Sequence, residues 1–138
     1  MAAATAITRL IDAVGYPERA PDGAVSFVLR VDGADVLAEE RGGRLRLSLT
    51  LPAGEGRLAQ LAAYATGRML REEATLSVDA SGRPFLWQDA PASSGGQALA
   101  RMFEAFMVSC DWWRSRVEER METGEGESAA PEMYMIRP

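Results

Sequence analysis

Hydrophobic residues near the start of the chain recur at the spacing of one helical face. They stand at i, i+3, i+4 and i+7, as Ile7, Leu10, Ile11 and Val14. This spacing predicts an amphipathic helix from about Ala3 to Val14, with Thr5 as its N-cap and Gly15 as its end. The residues that follow contain two prolines and an Asp-Gly pair, and they predict a loop.

Three segments with the two-residue period of a strand follow this loop. Apolar and more polar positions alternate over residues 27–31, and the pair Asp32-Gly33 is a hairpin signal before a second arm that begins near Val36. After the turn Gly42-Gly43, leucine occupies every second position over residues 45–51 and predicts a half-buried strand. Short direct turns between these strands predict an antiparallel meander.

The second half of the chain predicts a helix, a hairpin and a longer helix. An alanine-rich amphipathic helix begins near Leu58 and leads into a hairpin with arms at Ala74–Val78 and Pro84–Gln88. The last helix follows a loop that ends at Gly96 and extends to about Met121. Its apolar stripe consists of Leu99, Phe103, Phe106, Cys110, Trp113 and Val117.

The predicted element order is therefore α-β-β-β-α-β-β-α. It indicates an α+β fold, a twisted antiparallel sheet packed with three helices, over residues 1–121. Residues 122–138 form an acidic tail with an apolar end, and their composition up to Glu127 predicts disorder.

Composition narrows the possible functions. The 138 residues suit one domain, and 20 acidic residues against 15 arginines give a net charge of −5, which argues against a nucleic-acid partner. A single cysteine fits a reducing compartment, and neither a membrane-spanning run nor a signal peptide is apparent, so we expect a cytoplasmic protein. The chain contains no histidine, which removes the commonest general base and metal ligand.

The remaining candidate motifs do not point to catalysis. The G-x-G-x-x-A string at residues 54–59 follows an antiparallel strand, whereas a dinucleotide-binding turn requires a parallel βαβ unit. Cys110 lies on the apolar stripe of the last helix without a histidine to activate it, so we expect a buried thiol. The sequence predicts no enzyme, no cofactor and no metal, and it favours binding through strand edges and apolar helix faces.

Several strings in this order resemble the class I chaperones of bacterial type III secretion, the Tir chaperone family. They are the helix end Leu10–Pro17, the leucine strand from Gly43 to Leu49, the segment Gly82–Trp87, and Leu99–Phe106 with Trp112-Trp113 in the last helix. The resemblance covers about residues 5–120. It implies a non-enzymatic homodimer in the bacterial cytoplasm that binds the N-terminal segment of a secreted effector and keeps it export-competent.

The resemblance also implies two surfaces. A dimer interface through the second helix and the strand after it would comprise Leu61, Tyr64, Ala65, Arg68, Met69 and Leu76. An effector-binding patch on the first helix and the adjacent sheet would comprise Ile7, Leu10, Ile11, Val14, Phe27 and Leu29. Both sets have an alternative, because the same apolar residues are the ones that would pack inside a monomer.

The sequence leaves two other functions open. The same fold could sequester a transcriptional or signalling partner, its release tied to secretion. A small ligand-binding or enzyme domain would instead show a deep polar pocket with converging arginine and glutamate side chains.

Overall fold

Among the residues that the structure describes, two helices pack on one face of a five-stranded antiparallel sheet. The computed structural model describes residues 5–52, 63 and 73–127, with side chains up to Val117. Its elements are α1 (Ala6–Val14), β1 (Ser26–Val31), β2 (Ala34–Arg41), β3 (Arg44–Thr50), β4 (Thr75–Val78), β5 (Pro84–Pro91) and α2 (Gly96–Glu127). The strand order is β1-β2-β3-β5-β4, and every neighbouring pair is antiparallel.

Helix α1 has the caps that the sequence predicts. The Oγ1 of Thr5 accepts a hydrogen bond from the backbone N–H of Thr8 at 3.2 Å. Gly15 adopts the left-handed conformation with φ 72°, and the N–H of Tyr16 donates to the carbonyl of Ile11 at 3.1 Å. These bonds satisfy backbone groups that a helix end leaves open.

Three turns set the pairing of neighbouring strands. Asp32 and Gly33 have φ values of 52° and 79°, as the two central residues of a type I′ hairpin turn require. Gly42 and Gly43 show the same pattern with 60° and 77°. In the β4–β5 turn, the Oδ1 of Asp79 accepts hydrogen bonds from the backbone N–H groups two and four residues later, at 2.8 and 2.9 Å. The three predicted turns are confirmed.

The hydrophobic core lies between the helices and one face of the sheet, which we call the inner face. Helix α1 contacts α2 and β2, and α2 contacts β5 and β3. Gly96 lies where the two helices meet, since a Cβ at this position would be in van der Waals contact with that of Ala13, at 3.4 Å. Fully buried members of the core include Ile7, Leu10, Leu29, Val36, Leu45, Leu47, Leu86, Leu99 and Phe106.

The α+β class and the antiparallel sheet are confirmed, while the number of helices stays a prediction. The helix expected near Leu58 lies outside the described residues except for Ala63, which is helical. Residues 128–138 also lie outside them, as does the string at 54–59.

The last helix is longer than the sequence suggests. Helix α2 ends at Glu127, six residues beyond the predicted end at Met121 and within the segment expected to be disordered. The six added residues are three glutamates, which are good helix formers, with one threonine and two glycines, which are poor ones. The helix can still continue over them, because extending an existing helix needs no new nucleus. Within the described parts of the chain, neither helix combines the length and the apolar character that a membrane span needs.

Candidate functional site

The second face of the sheet, which we call the outer face, carries neither of the described helices. A row of five residues crosses it, each opposite its neighbour in the register of the five strands: Val28, Leu37, Ser48, Trp87 and Thr75. We call this set the outer row. Val28 is 50% exposed and the other four are half-buried. The outer row therefore gives the sheet an accessible surface that is apolar at Val28 and Leu37 and aromatic at Trp87.

Ion pairs flank the outer row on both sides. Arg30 and Asp35 approach within 3.0 Å on one side, and Arg44 and Asp89 within 2.9 Å on the other. The hydrogen bond that Arg44 donates to Asp89 raises the pKa of Arg44 above its ordinary value. Solvent-exposed pairs contribute little to stability, about 1 kcal/mol or less each, so their main effect is on the charge pattern around the row.

A groove opens at one end of the outer row where two strands separate. Pairing between β2 and β3 begins at Leu37 and Ser48. Beyond these two residues, β2 pairs with β1 and β3 pairs with β5, so β2 and β3 are no longer hydrogen-bonded to each other. The resulting space has a volume of about 520 Å³ and is lined by Val28, Leu37, Thr50 and Arg114, among others. It extends the accessible apolar surface towards α2.

Strand β1 lies at one edge of the sheet, and half of its backbone groups face away from β2. The N–H of Glu40 donates to the carbonyl of Val25 at 2.8 Å. In an antiparallel pair the bonded positions recur at every second residue, so the groups of Ser26, Val28 and Arg30 point to the open edge. Such an edge can accept the backbone of another extended segment.

Tyr16 occupies one end of this open edge. Its hydroxyl accepts a hydrogen bond from the backbone N–H of Arg30 at 2.8 Å. Its ring meets Phe27 edge-on, with centroids 6.2 Å apart and an interplanar angle of 87°. The loop after α1 therefore covers the edge at Arg30 and leaves it open at Ser26 and Val28.

The residues of the implied effector-binding patch come together, but most of them are interior. Ile7, Leu10 and Leu29 are 0% exposed and Ile11 is 4% exposed. Val14 and Phe27 are half-buried against the core. Packing of α1 on its own sheet therefore accounts for four of these six side chains, and a role in effector binding stays a prediction.

Most of the implied dimer interface lies outside the described residues. This applies to Leu61, Tyr64, Ala65, Arg68 and Met69. Leu76, the sixth residue, lies on the edge strand β4 opposite Leu86 and is half-buried against the core.

The cysteine and the two adjacent tryptophans of α2 pack in or against the hydrophobic core. Cys110 is a buried thiol within the core, as predicted. Trp113 is buried, and Trp112 is half-buried beside it, with ring centroids 5.3 Å apart. In the part of the chain that the structure describes, no three histidine, cysteine, aspartate or glutamate side chains come together as metal ligands would.

Two elements of the surface escaped the sequence reasoning. One is the contact between the Tyr16 hydroxyl and the edge of β1. The other is the guanidinium of Arg46, whose Cζ lies 4.1 Å from the ring centroid of Trp87. Alternation along β3 does place Arg46 on the other face of the strand from the buried leucines. Its contact with Trp87, however, depends on the register between β3 and β5, which no short turn determines.

Several solved structures share this architecture. A chain in the structure of the HopA1-SchA chaperone-effector complex aligns with a TM-score of 0.61 at 22% identity, over 79% of this chain and 92% of that chain. A chain in the heterodimeric ExoU-SpcU complex from the type III secretion system of Pseudomonas aeruginosa gives 0.56 at 21%, over 80% and 92%. The complex of the Yersinia pestis type III secretion chaperone SycH with a fragment of YscM2 gives 0.56 at 14%, over 82% and 99%.

This chain has the fold of the type III secretion chaperones. No protein-family model and no curated protein sequence matches it. The chaperone fold is thus shared at low sequence identity, and the alignments span nine-tenths or more of the other chains.

Proposed function

We propose that this chain is a class I type III secretion chaperone. It binds the N-terminal segment of a secreted effector and keeps that segment export-competent, without catalysing a reaction. The observation that carries the proposal is the alignment with chains from chaperone-effector complexes over nine-tenths or more of their length, so that the whole fold corresponds rather than a single motif.

The geometry of β1 and the outer face supports this proposal. An extended segment can add to the sheet by pairing its backbone with Ser26 and Val28, whose own backbone groups point to the open edge. Side chains of that segment can then contact the outer row next to it. Val14 and Phe27 pack against the core together with the buried Ile7, Leu10, Ile11 and Leu29, so these side chains support the sheet from its inner face.

The proposal includes a homodimer that acts in the bacterial cytoplasm. The resemblance to the class I chaperones supports an interface built from the residues near Leu61 and Met69 together with Leu76 of β4. Multi-angle light scattering tests this part directly. A mass near twice the 14.9 kDa of one chain is expected, and a mass of one chain at all concentrations would contradict it.

The binding role is tested with two matched valine variants. Val28 lies on the edge strand β1 and is 50% exposed, and Val108 lies on α2 and is 67% exposed. Candidate effector N-terminal segments are co-expressed with the chain, and the affinity of a captured segment is then measured by calorimetry. Val28→Asp should weaken binding about tenfold, because the segment loses an apolar contact and meets a charge.

Val108→Asp serves as the control, since it places the same charge on the exposed side of α2, outside both the β1 edge and the proposed dimer interface. It should leave the affinity of the segment within about twofold of the wild-type value. Equal affinities of wild type and Val28→Asp would show that the segment does not bind at β1. Failure of every candidate segment to bind would refute the chaperone function itself.

A further inference from the structure

Arg46 has an unusual position among the charged residues of the outer face. It lies directly opposite Glu39 on β2 and Asp89 on β5. Its guanidinium nevertheless lies over the indole of Trp87 rather than on either carboxylate. The indole is itself held in place, because its Nε1–H donates to the Oγ of Ser77 at 2.9 Å.

The two neighbouring carboxylates are engaged by other arginines. Glu39 lies 3.7 Å from Arg41, and Asp89 lies 2.9 Å from Arg44. These four residues and Arg46 line a depression of about 200 Å³. Three arginines against two carboxylates leave an excess of one positive charge, although the whole chain carries −5. Among the described residues, Arg46 is the member of this cluster that has no ion-pair partner.

This arrangement is suited to recognising a carboxylate. A guanidinium offers several N–H donors that match the two oxygens of a carboxylate, and contact with an aromatic ring restricts its rotamers before binding. The pairing of Trp87 with Ser77 and of Asp89 with Arg44 means that neither group has to move to present Arg46.

We propose that Arg46, held over Trp87, is a specificity-determining residue that selects an acidic side chain in the bound polypeptide. The occupant is a segment in which an aspartate or glutamate stands beside apolar residues. Its carboxylate binds Arg46, and its apolar side chains contact Leu37 and Trp87 of the outer row. The inference rests on the proposed chaperone function and names the chemistry of the segment that the outer face prefers.

The test uses overlapping synthetic peptides that cover the N-terminal segments of the type III effectors of the source bacterium. Each acidic peptide has a twin in which asparagine or glutamine replaces the carboxylate. Fluorescence anisotropy measures both members against the full chain. The acidic member of a binding pair should have about fivefold higher affinity, and the preference should shrink as salt rises. Its binding should also shift the NMR signal of the Trp87 indole N–H.

Two arginine variants separate a local effect from general charge. Arg46→Gln should abolish the preference for the acidic twin. Arg30→Gln removes the same charge from the same face, where Arg30 is paired with Asp35 at 3.0 Å, and should retain the preference. Because Arg46 is exposed, its replacement leaves the core intact, and thermal unfolding of both variants confirms that they fold.

The outcomes distinguish the inference from the function on which it rests. If peptides bind but twins bind equally, or if Arg30→Gln loses the preference as Arg46→Gln does, the role of Arg46 is refuted while the chaperone function stands. If no peptide binds, both fail. If inorganic phosphate alone shifts the Trp87 signal and competes with the peptides, the site selects small anions and the proposal is overturned.

Discussion

The hydroxyl oxygen of Tyr16 makes a hydrogen bond that is lost when this one atom is deleted. It accepts the N–H of Arg30 on the open edge of β1, while the ring packs edge-on against Phe27. Tyr16→Phe deletes the oxygen and keeps the ring, so the aromatic contact stays and no cavity forms. The variant therefore isolates one hydrogen bond at the point where we propose that a partner strand ends.

The expected loss of stability is small. A hydrogen bond contributes about 0.5–1.5 kcal/mol net, and the Arg30 amide lies in an exposed region where water can replace the lost acceptor. We therefore expect a cost of about 1 kcal/mol or less, which is a shift of about 3 °C in the melting temperature of a domain of this size. The local effect is sharper, because the amide exchange of Arg30 should become about fivefold faster for 1 kcal/mol.

Amide exchange followed by NMR measures this local effect, with two internal controls. The Leu29 amide faces β2 and should change only with global stability, and the Val28 amide faces the same open edge and should exchange rapidly in both proteins. Binding of an extended segment should strengthen by severalfold, because one more edge N–H becomes available. Unchanged exchange at Arg30 would refute the assignment of Tyr16 as a cover of this edge.

Two further predictions concern the core. Leu47→Ala should cost about 2–5 kcal/mol in urea unfolding, because Leu47 is 0% exposed at the centre of the sheet, whereas Val108→Ala, at a 67% exposed position, should stay within about 0.5 kcal/mol. Gln88 is 3% exposed and its Nε2 donates to Glu73 at 3.1 Å, so Gln88→Glu should cost about 3 kcal/mol at pH 7 by placing two carboxylates together. Burial and Glu73 raise the folded-state pKa of the new carboxyl, so this loss should shrink as the pH falls towards about 4, and a pH-independent loss would contradict the reasoning.

Local patterns predict much of the sheet, including part of the candidate site. Two-residue turns at Asp32-Gly33 and Gly42-Gly43 leave one register for the first three strands, so the outer row from Val28 to Ser48 follows from the sequence alone. Trp87 could not be added in the same way. Its strand pairs with β3 across a long sequence separation, and no tight turn determines that register.

The implied effector-binding patch shows a different limit of sequence reasoning. Alternation and helical spacing identify Ile7, Leu10 and Leu29 as one apolar surface, but they do not say what covers that surface. An amphipathic helix of the same chain and a foreign segment present the same chemistry. The structure shows that these side chains bury one another within the core, where α1 packs against α2 and β2 through contacts that depend on the tertiary fold.

The burial of these side chains limits the surfaces at which the proposed effector segment could contact the protein. Displacing α1 would expose Ile7, Leu10 and Ile11, at about 1.5–3 kcal/mol each, a total comparable to the whole stability of an ordinary domain. The edge of β1 and the outer face are accessible without such a loss, so binding there should leave α1 in place. Amide exchange within α1 should therefore be unchanged or slower when an effector segment binds. Faster exchange at these three residues would show that the segment replaces the helix. The binding site would then lie on the inner face of the sheet.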